Sequence, residues 1–135
     1  MTDVLFLIGS KSDRDAVAPA LALMEQKEIG YELVVFSAHR NLPELLELLS
    51  TREAEFRLII AAAGLSAALP GVVASQVKLP VIGVPLVSGA LSGVDALLSV
   101  LQLPAGVPVA TMGVGPQGVL NAVHLAERIL KAPRG

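Results

Sequence analysis

The stretch "VLFLIGSKSD" (Val4–Asp13) decides the fold. Five apolar residues run together, stop at Gly9, and give way at once to serine, lysine and aspartate. A short apolar run without alternation is the pattern of a strand covered on both faces. The same grammar recurs along the chain. Leu33–Phe36 runs into "SAHR", Leu58–Ala62 into a stretch of small residues, and Val81–Val84 and Val107–Thr111 complete five predicted strands. Helical spacing fills the intervals. Asp13–Glu28 places Val17, Leu21 and Met24 on one face, with Pro19 inside it demanding a kink or a late start. Leu42–Leu49 follows Asn41 as N-cap, with Pro43 in the first turn where proline is tolerated. Further helices are expected over Leu69–Val77, Gly93–Leu101 and Gly118–Lys131. Alternation of this kind, with no linker or repeat, predicts an α/β domain over residues 1–135: a parallel sheet with helices on both faces. Ligands of such folds bind outside the carboxyl ends of the strands, where each polar cluster of this chain falls.

Composition narrows the function. Of 135 residues, 53% are hydrophobic and only 16% charged, and mean hydropathy is +0.68. No Asp, Glu, Lys or Arg occurs from Leu58 to Val77 or from Ala96 to Ala126. Glycines and Pro70, Pro104, Pro108 and Pro116 break both stretches, so neither reads as a membrane span. The apolar excess is instead expected in a doubly covered sheet and between subunits of an oligomer. A net charge of −2 and 3% aromatic residues supply neither the field nor the stacking surface for nucleic acid. Absence of cysteine excludes disulfides, thiol nucleophiles and thiolate metal sites. No basic-then-apolar leader precedes Asp3, which makes the cytoplasm the expected location.

Four clusters stand at strand ends. In "GSKSD" (Gly9–Asp13), a glycine permits close backbone approach, while Ser10, Ser12 and free N–H groups at a helix start suit a phosphate. Asp13 suits ribose hydroxyls. A plain strand-to-helix turn, with Ser12 or Asp13 as N-cap, would read the same way. The loop lacks the Gly-Lys-Ser/Thr ending of a nucleoside triphosphate site. In "SAHR" (Ser37–Arg40), Arg40 can fork onto a phosphate or carboxylate and His39 can carry a proton near neutral pH. In "AAAGLSAALPG" (Ala61–Gly71), small residues after a strand allow close approach to a ligand or to a packed helix. The fourth, "SGALSGVDALLSVLQLPAGVPVAT" (Ser88–Thr111), is rich in serine and glycine and then apolar; a helix packed at an interface would read the same way, and Asp95 fits equally as a helix-start residue, while His124 reads as a structural histidine.

With these pieces in view, the sequence resembles the family of N5-carboxyaminoimidazole ribonucleotide mutases and aminoimidazole ribonucleotide carboxylases of purine biosynthesis. "GSKSD", "SAHR", "LPGVVAS", "PVIGVP", "SGVDALLSVLQLPAGVPVAT" and a closing "NA" run in family order from Val4 to about Leu130. The resemblance is closer to the bacterial mutase branch. It implies a flavodoxin-like three-layer αβα sandwich, a homo-octamer, and neither metal nor organic cofactor. The implied reaction moves a carboxylate from the exocyclic nitrogen of a ribonucleotide monophosphate to ring carbon C4, through decarboxylation and recapture of CO2. By the same resemblance, His39 handles the C4 proton, Arg40 holds the phosphate, and Ser10 and Asp13 bind phosphate and ribose. Gly9, Ser12, Ser37, Ala38, Gly64, Ser66, Ala68 and Leu69 complete the implied substrate site.

Two departures stand out. Where the mutase branch reads "GGAAHLPG", this chain reads "GLSAALPG" from Gly64, so Leu65 replaces a glycine and Ala68 replaces a second active-site histidine. The family often carries a further C-terminal tail, whereas this sequence stops at Gly135. Three readings follow: an enzyme, either the mutase or a carboxylase using free CO2; a non-catalytic or regulatory paralogue that binds a ribonucleotide monophosphate through Ser10, Asp13 and Arg40; or an unrelated flavodoxin-like binding module, which the glutamine-proline block disfavours.

Overall fold

Five parallel strands, in the order β2-β1-β3-β4-β5, form one sheet in the computed structural model, which describes residues 2–65 and 67–133. They are β1 (Val4–Ile8), β2 (Tyr31–Val35), β3 (Leu58–Ala63), β4 (Val81–Pro85) and β5 (Ala110–Thr111). This is the flavodoxin-like arrangement. Val4 lies opposite Tyr31 on one side and Leu58 on the other, and Ile59 lies opposite Val81. Every residue of β1, β3 and β4 is buried, which is why these runs are apolar without alternation.

The pleat sends alternate side chains into two separate cores. Val4, Phe6 and Ile8 join Leu58, Ile60 and Ile82 beneath α1 (Arg14–Gln26) and α5 (Pro116–Lys131). Leu5, Leu7, Ile59 and Ala61 face α2 (Leu42–Arg52), α3 (Leu69–Gln76) and α4 (Val94–Leu101). The result is the expected αβα sandwich. Gly83 of β4 makes the second layer tight: a Cβ there would come within 2.8 Å of Val109 Cγ1 and 3.1 Å of Pro70 Cβ.

Some boundaries differ from the sequence-based expectation for identifiable reasons. β5 was expected over Val107–Thr111 but pairs with β4 only through Ala110 and Thr111. Carrying that register back two residues would set Pro108 opposite Pro80, and neither proline has an N–H for the ladder. β2 begins at Tyr31 and ends at Val35, although the Phe36 N–H still donates to the Ile8 carbonyl at 3.0 Å. α1 starts at Arg14 and runs on through Pro19, so the start is not late. Pro19 denies a donor to the Asp15 carbonyl, but both residues are exposed and water is at hand. α5 begins at Pro116, two residues before the expected start, with proline in its first turn.

At the free edge of the sheet, Glu32 of β2 is gripped by both terminal nitrogens of Arg52, each at 2.7 Å, while Arg52 also binds Glu55 and lies 5.4 Å from the Phe56 ring centroid. Among the described residues no helix is long and apolar enough to cross a membrane.

The end of α1 holds a testable strain. The Ile29 N–H donates to Met24 O at 2.9 Å and the Glu28 N–H to Glu25 O at 3.1 Å, the paired bonds of a Schellman cap. The cap puts Glu28 at φ +58°, a conformation that favours glycine. Glu28→Gly is therefore expected to stabilise the fold by about 0.5–1 kcal/mol, the left-handed penalty being partly offset by the freedom glycine gains in the unfolded chain. The urea midpoint at fixed protein concentration should rise with an unchanged slope; an unchanged or lower midpoint would show that the cap carries no strain.

Candidate active site

The chain leaves β1, visits β2 on one side, and returns to β3 on the other. Loops leaving β1 and β3 therefore diverge at the carboxyl edge and open a crevice at this switch point. Four segments line it: Gly9, Ser10, Ser12 and Asp13 after β1; Ser37, Ala38, His39 and Arg40 after β2; Ala63, Gly64, Leu65, Ala68 and Leu69 from the end of β3 to the start of α3; and Ser88 after β4. Its volume is about 350 Å³, enough for a small nucleotide-sized ligand.

The first segment is a 3-10 turn over Lys11–Asp13 capped by Ser10, and Asp13 rather than Ser12 then takes the N-cap position of α1. The Ser10 hydroxyl oxygen accepts from the Ser12 N–H at 3.2 Å and shares a 2.9 Å hydrogen bond with the Ser12 hydroxyl. Two hydroxyls are thereby held together at the mouth of β1. Asp13 follows as the cap residue of α1, without a side-chain hydrogen bond to the helix. Burial pushes its carboxyl above the usual carboxylate range, and the Ser10 backbone partly opposes the shift. The Asp13 carboxyl stands in the crevice lining, where it can meet a ligand's hydroxyl groups.

The second segment fastens itself. The Ser37 hydroxyl accepts from the N–H groups of both His39 and Arg40 at 3.2 Å, and the Asn41 N–H donates to Ser37 O at 2.8 Å. Asn41 was expected to cap α2 with its side chain, but its Oδ1 accepts instead from the Ser37 N–H at 3.3 Å, and only its backbone carbonyl serves the helix, accepting from Leu45 N–H at 2.9 Å. The turn takes the side chain because it closes a ring with Ser37 and leaves His39 and Arg40 exposed at its tip, on the crevice wall.

The third segment is shaped by close approach. A Cβ on Gly64 would lie 2.7 Å from Ser88 Cβ, so glycine is what lets the β3 and β4 loops touch. Ala68 lies just before α3 and presents a methyl group to the crevice. A second, mainly apolar hollow of about 460 Å³ adjoins it and shares His39 and Ala68.

Eleven of the twelve residues named from sequence thus meet in one crevice: Gly9, Ser10, Ser12, Asp13, Ser37, Ala38, His39, Arg40, Gly64, Ala68 and Leu69. Ser66 lies outside the described residues. Ser88, which opens the fourth cluster, was not among the residues named for the site, although it follows β4 by three residues and the strand-end rule points to it. Leu65 was noticed only as a departure from glycine, yet it forms part of the wall. Asp95 lies in the first turn of α4 as expected, and its Oδ1 is buried without a partner among the described residues. His124 is exposed on α5 and is not part of the lining.

Comparison with known proteins agrees with this architecture. N5-carboxyaminoimidazole ribonucleotide mutase of Bacillus subtilis is 46% identical over 127 residues, spanning 93% of this chain and 78% of that protein. The enzyme of the same name from Saccharolobus solfataricus is 49% identical over 133 residues, spanning 96% and 82%. The crystal structure of Treponema denticola PurE superposes with a TM-score of 0.86 at 31% identity, covering 99% of this chain and 83% of that one. The family model for AIR carboxylase matches residues 3–134, so the order of strands, the crevice at their switch point and the sequence itself agree that this chain belongs to the AIR carboxylase family.

Proposed function

We propose that this chain is an enzyme of de novo purine biosynthesis, an N5-carboxyaminoimidazole ribonucleotide mutase that moves a carboxylate from the exocyclic nitrogen to C4 of the ring. The observation that carries this reading is the convergence of His39 and Arg40 with the Ser10–Asp13 turn on one crevice. Relatives bearing that name, at 46–49% identity, support it.

In this reading Arg40 and the paired hydroxyls of Ser10 and Ser12 take the phosphate, because a guanidinium and clustered donors match a tetrahedral anion. Asp13 binds the ribose hydroxyls, and Gly9, Ser37, Ala38, Gly64, Ser66, Ala68 and Leu69 complete the surround. Decarboxylation breaks the bond from the exocyclic nitrogen to the carboxylate, and the electron pair stays on nitrogen, which gains a proton. The ring carbon C4 then attacks the CO2 and gives up its own proton. One proton is gained and one lost, so a single imidazole, that of His39, can serve both steps. The apolar hollow beside His39 suits uncharged CO2 better than water, and excluding water protects the intermediate.

One observation favours a second reading. Ala68 offers a methyl group where the resembled branch carries a histidine, and a methyl cannot donate a hydrogen bond to a migrating carboxylate. A slow mutase, a carboxylase using free CO2, or a non-catalytic ribonucleotide-binding paralogue would each accommodate that loss. We further infer a single domain, a cytoplasmic location and a homo-octamer. Leu91 is 60% exposed, Val94 and Leu98 54% each and Leu101 53%, an apolar stripe that a monomer would leave wet.

Incubation with the N5-carboxylated ribonucleotide should yield the C4-carboxylated product, detected directly. Arg40→Ala is expected to weaken ribonucleotide binding at least tenfold, from the loss of a charge-assisted contact of about 1.5–3 kcal/mol. His39→Asn should keep binding while turnover falls by about 10²–10⁴-fold. Wild-type turnover in His39→Asn would remove the proton-carrier role. Ala68→His is expected to raise mutase turnover, by up to about 10²-fold if it restores one hydrogen bond to a developing anion; no change would show that position 68 does not limit the reaction. Light scattering at micromolar concentration should give a mass near eight subunits, and a stable monomer would contradict the assembly.

A further inference from the structure

Leu65 is disfavoured twice over. Its backbone lies at φ +53°, where residues with a Cβ are strained, and its side chain is 54% exposed. Neither hydrophobic core includes it, so the packing of the fold does not reward the strain. Yet the side chain has a definite seat. Its Cδ2 lies 2.6 Å from where a Cβ on Gly89 would stand, so Leu65 rests across bare backbone that is itself at φ +73°. Gly64 meets Ser88 in the same manner one residue earlier, and the two contacts lock the β3 loop onto the β4 loop.

The seat turns Leu65 into part of the crevice wall. Most of the functional groups around that crevice are polar: the hydroxyls of Ser10, Ser12 and Ser88, the carboxyl of Asp13, and the side chains of His39 and Arg40. These match a phosphate and a sugar. A ribonucleotide also has a planar heterocycle, whose faces need apolar contact rather than more hydrogen bonds. Leu65 is a large, half-wet apolar side chain held beside the polar groups, available to be covered when a ligand enters.

We propose that Leu65 is a specificity-determining residue whose side chain packs against the planar heterocycle of the bound ribonucleotide, a role that rests on reading the crevice as a ribonucleotide site. The strained backbone sets a large apolar residue in the crevice wall, at a position where glycine would offer no side chain. Sugar phosphates without the planar base gain nothing from this surface, so Leu65 discriminates the ribonucleotide from its own ribose 5-phosphate fragment.

Calorimetric titration of wild type, Leu65→Ala and Leu65→Gly with 5-aminoimidazole ribonucleotide and with ribose 5-phosphate tests the assignment. Leu65→Ala removes the side chain and keeps a strained backbone, whereas Leu65→Gly also relaxes it. Both variants should bind the ribonucleotide about five- to tenfold more weakly, as expected for losing about half of a leucine's apolar contact, with ribose 5-phosphate affinity unchanged. The heat-capacity change on ribonucleotide binding should become less negative in both. Unchanged ribonucleotide affinity overturns the proposal, and so do equal losses for the two ligands, which would mark a change in loop shape. If wild type binds neither ligand, the ribonucleotide reading of the crevice fails and this role fails with it.

Discussion

The pairing of β1 with β3 is the constraint on which the rest depends. From Val4 opposite Leu58 to Ile8 opposite Ala62, two strands far apart in sequence lie side by side with every residue buried. Parallel strands cannot be joined by a tight turn, so each crossover needs a helix, and a sheet covered on both faces tolerates no unpaired polar group inside it. Polar chemistry is thus driven to the ends of strands. Because the chain reverses direction across the sheet between β1 and β3, the loops at their carboxyl ends part, and the space between them is the crevice.

How the crevice is walled follows from very local bonds. Ser10 organises its own turn, and Ser37 with Asn41 organises the next, each through hydroxyl and amide groups within a few residues. The β3 and β4 loops are arranged by contact instead, glycine against side chain at residues 64 and 89. The polar wall of the crevice is thus presented by hydrogen-bonded turns, and the apolar wall by packing.

Much of this was legible in the sequence. Apolar runs located β1 to β4 closely and β5 only by its last two residues, and the alternation of strand and helix gave the layers, because both signals are local. Gly9–Asp13 and Ser37–Arg40 were legible as site residues because each follows a strand. What escaped depends on partners distant in the chain. β5 is short because Pro108 faces the register of Pro80, a pairing no local window contains. The Asn41 side chain turns back to Ser37 rather than forward to α2, and both choices fit the same residue type. A leucine carries no mark of a left-handed backbone, so the conformation of Leu65 was invisible until its loop was seen against Gly89.

The two margins of the sheet have a consequence for how copies of this chain can associate. On one side, the Glu32–Arg52–Glu55 cluster places charge along β2; on the other, β5 offers two paired residues and a proline nearby. Neither margin can accept an incoming strand, so the ladder cannot propagate from molecule to molecule into a fibre. Any contact between copies would then fall to side chains on helical faces, where geometry is set by shape. A chain that exposes Val94, Leu98 and Leu101 on α4 thus keeps its sheet edges guarded against indefinite growth.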